Sequence, residues 1–281
     1  MINYYLITKP GIILGNLLTV AAGFLLATKG NIDVALFLAT LLGLTLIMAS
    51  ACVFNNYIDR PLDKLMQRTK RRALVIGLIP EKNAICFATI LGVLGGACLL
   101  YFTNLLTFLI AAFGFVVYVL LYSIWKGKTV YGTAIGSVAG AIPPVVGYCA
   151  VSNDFDLAAL LFFLMMVLWQ MPHFFSIALL YRDDYAKANI PVLPVVKGNR
   201  RTKIHMVLYI AAFTIASLLL SYFHYTGYLY LYIALGLCLG WLTLSIKGFW
   251  SINDEVFGKT MFRYSLFLIT IFCFLIPIDK I

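Results

Sequence analysis

The feature that most limits what this chain can become is a succession of apolar runs, each about as long as a lipid bilayer is thick. A helix needs roughly 20 apolar residues, with a range of ~17–25, to cross the hydrocarbon core. Nine stretches meet that length, at about 11–28, 34–55, 83–102, 104–123, 130–151, 157–180, 204–222, 228–247 and 260–277. Of the 281 residues, 63% are hydrophobic and 11% charged, against about 25% charged in a soluble domain. A soluble fold of this length could not hide so much apolar surface. The expectation is an all-α polytopic membrane protein of nine transmembrane helices, forming a single membrane-embedded domain over residues 1–281.

A net charge of +10 suggests nucleic acid at first sight, but the basic residues fall in short blocks between the apolar runs. With the N-terminus in the cytoplasm, 19 of the 21 Lys and Arg lie on the cytoplasmic side, all but Lys29 and Lys280. Membrane proteins gather Lys and Arg on that side, and one missed or extra helix would scramble the bias. The charge is therefore topological, and no nucleic-acid partner is expected. The polar lead from Met1 to Lys9 precedes a retained first helix rather than a cleaved signal peptide. Six cysteines lie in or beside apolar runs with no ligand spacing, and read as small buried hydrophobes.

Two long polar loops interrupt the pattern, after the second and sixth runs, one four-helix unit apart and so on one membrane face. That separation hints at a pseudo-repeat, about 8–125 and 128–247, followed by the last helix at 260–277. In the first loop Asn55, Asp59 and Asp63 are spaced by four, which places them on one face of a continuing helix. Pro61 should kink or end that helix, tipping Asp63 towards the others. Two carboxylates and an amide suit Mg²⁺, which keeps waters and takes substrate phosphate oxygens. Arg60, Lys64, Arg68, Arg71 and Arg72 would then serve a diphosphate. The alternative is a solvated loop with ordinary helix-end charges. In the second loop Asp183 and Asp184, between Arg182 and Lys187, either ligate a second cation or form an ion-pair cluster.

The sixth run carries Trp169, Gln170 and His173 beside Pro172. Gln170 and His173 share a helix face, either as a ligand site or as hydrogen-bonding links between helices. Gly132, Gly136 and Gly140 make a smooth stripe on the fifth run, where a neighbouring helix can approach closely. Pro143-Pro144 interrupts the same helix. His205 and His224 lie at span ends and receive no role.

These residues resemble the UbiA superfamily of intramembrane prenyltransferases and, within it, the protohaem IX farnesyltransferase branch. The superfamily mark NxxxDxxxD matches Asn55, Asp59 and Asp63, and the narrower D-x-x-M-x-R-T-x-x-R matches Asp63 to Arg72. Lys9-Pro10-Gly11 with Asn16, Gly140 to Pro144, Trp169 to Phe174 and Ala188 to Pro194 agree as well, so that the likeness covers about residues 8–200.

The resemblance implies a UbiA-like bundle with a cytoplasmic cap, in the plasma (inner) membrane. It implies transfer of the farnesyl group of farnesyl diphosphate to a vinyl group of haem b, with water addition, giving haem O. A terminal oxidase or a haem-A-forming enzyme would be the partner. Mg²⁺ would be held by Asn55, Asp59 and Asp63, with Asp183 and Asp184 as further candidates. Asn55, Asp59, Asp63 and Asp184 would be the catalytic set. Lys64, Arg68, Arg72, Lys128 and Lys187 would meet the diphosphate, and His173, Trp169 and Gln170 the haem, with Lys9 and Asn16 also at the site. One departure is that the superfamily's second DxxxD is replaced by Tyr181 and Tyr185, which leaves the number of metal ions open. Two other readings are a UbiA-type prenyltransferase acting on an aromatic or quinone precursor, and a membrane transporter or haem-handling protein.

Overall fold

The computed structural model describes residues 2–281, and among these nine helices are long and apolar enough to cross a membrane. They are α1 Pro10–Ala27, α2 Val34–Ile58, α3 Glu81–Phe102, α4 Leu105–Trp125, α5 Gly132–Ser152, α6 Leu157–Leu180, α7 Asn199–Tyr222, α8 Tyr228–Trp250 and α9 Asp254–Ile278. No strand occurs among the described residues. The nine expected spans are all present. Two begin a turn or more before their apolar runs: α7 takes in Arg200, Arg201 and Lys203, and α9 starts where Asn253 accepts hydrogen bonds from the backbone of Glu255 and Val256. A side-chain cap of this kind satisfies amides that a helix start otherwise leaves free. Asp33, Asn104 and Asp156 do the same for α2, α4 and α6, all in the short connections.

Consecutive helices pack side by side, α1 also lies along α5, α6 along α9, and α9 returns to α1 to close a ring. Glycines bring the backbones together. A Cβ on Gly23 would sit 2.0 Å from the Pro144 carbonyl oxygen, and one on Gly147 would sit 2.1 Å from that of Val20, locking α1 against α5. Gly95 packs against the backbone of Gly43 and Ile47, joining α2 to α3. Without a hydrophobic force between helices in lipid, such close approach is what holds a bundle.

Two helices are locally broken. Pro143-Pro144 divides α5 at Ala141 into Gly132–Gly140 and Ile142–Ser152, as a proline that cannot donate a backbone hydrogen bond requires. α4 passes through a π-helical turn, Val117–Tyr122, which nothing in its sequence advertises. Such wide turns concentrate at functional sites, and this one faces α2.

Candidate active site

α2 ends at Ile58, but the chain keeps helical spacing through Pro61, with Asp59 N–H on the Asn55 carbonyl (2.8 Å) and Asp63 N–H on that of Asp59 (2.9 Å). Pro61 fits because it opens a one-turn helix, Arg60–Asp63, where its missing N–H is not needed. Asn55, Asp59 and Asp63 therefore share a face, as their spacing predicts, and all three are at least 95% buried. They line one end of a cavity of about 660 Å³ enclosed by α1, α2, α4, α5, α6 and α9.

Charges this buried must be paired, and each side chain meets a cation. Lys9 Nζ donates to Asn55 Oδ1 (2.6 Å), Lys126 Nζ to Asp59 Oδ2, and Arg72 to Asp63 Oδ2 (2.7 Å) and to Asn56 (3.1 Å). Lys9 sits in the left-handed backbone region at φ 56°, a conformation that costs a non-glycine residue about 1–2 kcal/mol. Strain of that kind persists where surrounding contacts hold it, often at functional sites. Burial is the main cause that lowers the Lys9 ammonium to about 8, with the cations Arg72 and Lys126 adding to it against the opposite pull of Cys52 and Asp59. The π-helical turn of α4 completes the support: Tyr118 OH donates to Asn55 Oδ1 (3.3 Å), and Asn55 Nδ2 donates to Ser123 Oγ (3.0 Å).

Two carboxylates facing three cations leave an excess of positive charge, suited to an anion more highly charged than a carboxylate. One oxygen, Asp59 Oδ1, is buried without any hydrogen-bond partner. An orphaned carboxylate oxygen beside an amide and a second carboxylate is a hard-ligand set that fits Mg²⁺. Among the described residues no group of three or more His, Cys, Asp or Glu stands together. A cation held there would need substrate oxygens and water for the rest of its coordination.

The second loop is placed differently from the metal-ligand expectation. Asp184 accepts hydrogen bonds from the backbone N–H groups of Gln67 (3.2 Å) and Arg68 (3.1 Å), so it fastens the first loop to the second. Neither Asp184 nor the exposed Asp183 lines the cavity. Of the two tyrosines at the superfamily's acidic positions, Tyr181 carries the Arg68 guanidinium over its ring at 4.9 Å. Tyr185 lines the cavity, its phenol pushed up by burial and so kept neutral. Met66, Ala188 and Ile190 form an apolar seam between the loops.

Among the expected basic residues, Arg68 and Arg72 line the cavity, while Lys64, Lys128 and Lys187 are exposed and do not. The basic residue that α4 does supply is Lys126, missed in the sequence because its neighbour Lys128 is equally charged. Asn16 lines the wall on α1.

At the other end α6 presents Trp169, Gln170 and His173, all buried in the fold and all lining the cavity. The His173 imidazole stacks on Trp169 (centroids 4.8 Å) and lies against Phe262 of α9 (4.9 Å). Trp169 Nε1 donates to the Ser265 carbonyl (3.0 Å). α9 thus contributes to the site, which its sequence did not signal. The glycine stripe of α5 has a site role too: Gly132 clears the backbone of Lys126, Gly136 the ring of Tyr122 and Gly140 the amide of Gln170.

The UbiA prenyltransferase family model matches residues 16–268. The protoheme IX farnesyltransferase of Protochlamydia amoebophila (strain UWE25) is 58% identical over 282 residues, covering 100% of both chains. That of Yersinia pseudotuberculosis serotype O:1b (strain IP 31758) is 50% identical, covering 99% of this chain and 95% of its own. A digeranylgeranylglyceryl phosphate synthase structure shares the fold with a TM-score of 0.82 at 17% identity, over 99% of this chain and 97% of its own. A UbiA homolog from Archaeoglobus fulgidus bound to DMAPP and Mg²⁺ does so with a TM-score of 0.75 at 18% identity, over 96% and 99%. The chain belongs to the UbiA prenyltransferase family.

Proposed function

We propose that this chain transfers the farnesyl group of farnesyl diphosphate to a vinyl group of haem b, with addition of water, to give haem O. The observation that carries the reading is the cavity itself: a cation-rich, carboxylate-bearing end and a Trp169–Gln170–His173 end joined by apolar walls. The full-length relatives named protoheme IX farnesyltransferase support the choice of acceptor.

Asn55, Asp59 and Asp63 are the residues that would hold Mg²⁺. A bound Mg²⁺ supplies neutralisation of the diphosphate as a leaving group. Lys9, Lys126 and Arg72 exchange their carboxylate and amide partners for diphosphate oxygens, and Arg68 adds a further cation from the first loop. Donors placed where charge builds on the leaving group lower the barrier without reorganising. The C1–O bond of farnesyl diphosphate breaks, and the allylic cation is held among Leu44, Ile47, Ala111 and Phe115, which keep bulk water away. The terminal carbon of the vinyl group forms the new bond to C1. The cation left beside the porphyrin takes a water molecule, which loses one proton, so haem b, farnesyl diphosphate and water become haem O, diphosphate and a proton. Gln170 and His173 orient the acceptor. Asp184 keeps the two loops together.

The whole chain acts as a single domain in the plasma (inner) membrane. The loops that carry the site face the cytoplasm, on the side where Lys and Arg gather. A haem-A-forming enzyme or a terminal oxidase takes up the product.

Asp59→Asn tests the metal assignment: haem O formation should fall by roughly 10²–10³-fold, the scale for loss of one transition-state electrostatic group. A Mn²⁺ titration followed by EPR should show tight binding only when diphosphate is present, because the protein's own cations outnumber its carboxylates there. Undiminished product from Asp59→Asn, or tight Mn²⁺ binding by the protein alone, would remove this arrangement.

A further inference from the structure

His173 is held by more than its place on α6. Its Nδ1 lies 2.7 Å from Ser265 Oγ on α9, and Ser265 Oγ lies 2.7 Å from the Phe262 carbonyl oxygen. A serine hydroxyl has one proton. If that proton goes to the Phe262 carbonyl, the hydroxyl is an acceptor for Nδ1–H and both contacts are hydrogen bonds. If His173 carries its proton on Nε2 instead, Nδ1 and the carbonyl compete for the single serine proton, and one contact is lost. In a buried site a lost hydrogen bond is expensive, so the chain selects the Nδ1–H tautomer. Nε2 then has a free lone pair, and among the described residues it has no hydrogen-bond partner. Trp169 stacks on the ring and Phe262 lies against it as well, contacts that a turn offering the other nitrogen would have to break. His173, Trp169 and Phe262 all line the cavity, whereas Ser265 does not.

We propose that Ser265 is a positioning residue that fixes His173 as the Nδ1–H tautomer, so that Nε2 ligates the iron of the haem acceptor. This rests on the haem-farnesylating reading above. Ligating histidines characteristically donate their second ring N–H to a fixed acceptor, which sets the tautomer and strengthens the ligand. Here the acceptor is a hydroxyl anchored to the helix that closes the ring of spans. It also explains why α9 must be part of the site. Iron ligation would hold the porphyrin at a set height in the cavity and so bring one vinyl group to the allylic carbon.

The test uses full-length protein in nanodiscs titrated with ferric haem b, read by the Soret band and EPR, alongside haem O turnover and the KM for farnesyl diphosphate. Wild type should show a histidine-ligated spectrum. His173→Ala should lose it, and added imidazole should restore it. Ser265→Ala should keep farnesyl diphosphate KM within about twofold while weakening haem binding by about 10–100-fold, the usual cost of removing a ligand's hydrogen-bond partner. Ser265→Thr, which keeps the hydroxyl, should recover most of that loss. If Ser265→Ala matches wild type in haem affinity and spectrum, the positioning role is overturned. If His173→Ala retains the wild-type spectrum, iron ligation is overturned, even where haem O is still made. If wild type neither binds nor farnesylates haem b, the acceptor assignment itself has failed, a result distinct from both.

Discussion

Replacing Gly140 by alanine adds one methyl group and should selectively damage the acceptor end of the cavity. The new Cβ would lie 2.1 Å from Gln170 Oε1, 2.6 Å from Nε2 and 2.7 Å from Cδ. Reaching an ordinary contact of 3.4 Å requires the amide to retreat by about 1.3 Å. Gln170 is buried in the fold, so it cannot swing out to solvent and must move within the cavity. Overpacking costs about 1–3 kcal/mol, while alanine in place of glycine returns up to ~1 kcal/mol of helix propensity. The net loss of about 0–3 kcal/mol leaves a folded protein. A misplacement of about 1 Å in a positioning group, by contrast, can cost on the order of 10²-fold in rate. The assay is steady-state haem O formation with each substrate varied in turn. kcat/KM for haem should fall by roughly 10–100-fold while the KM for farnesyl diphosphate stays within about twofold. Gly15→Ala is the matched control, since Gly15 also lines the cavity but a Cβ there meets nothing within 4 Å. Unchanged haem kinetics in Gly140→Ala, or an equal loss against both substrates, would refute the assignment of Gln170 to the acceptor.

Other consequences are as direct. Burial lowers Lys9 to about 8, so as pH rises through that value the free protein loses a positive charge at the carboxylate-bearing end of the cavity. kcat/KM for farnesyl diphosphate, which reports the free enzyme, should be full well below pH 8, fall by half near it and decline further above, and Lys9→Arg should move that alkaline limb upward. Asp184→Ala should raise the KM for farnesyl diphosphate by loosening the first loop, with the Mg²⁺ concentration dependence unchanged. A raised Mg²⁺ requirement would instead make Asp184 a metal ligand.

Much of this was legible in the residues. Run length and the placement of Lys and Arg located all nine spans, because the bilayer imposes one length and one charge bias. Four-residue spacing put Asn55, Asp59 and Asp63 on one face because helical geometry persists past Pro61, which begins a new turn there. The contributions that escaped depend on tertiary contact. Lys126 rather than Lys128 reaches Asp59, just beyond a π-helical turn that no local pattern encodes. Asp184 is drawn to backbone amides that only loop packing brings near. Ser265 and Phe262 look like unremarkable residues of an apolar helix until α9 is seen against α6. Gly132, Gly136 and Gly140 do form a packing stripe, but what they admit is Lys126, Tyr122 and Gln170, three side chains of the cavity.

The central claim is tested most directly by the haem recovered from purified protein supplied with haem b, Mg²⁺ and farnesyl diphosphate. Separation by reversed-phase chromatography and mass spectrometry should show a porphyrin heavier than haem b by one farnesyl group and one hydroxyl, with diphosphate released in equal amount. Haem b recovered unchanged, while the same preparation prenylates an aromatic or quinone precursor or releases no diphosphate at all, would contradict it.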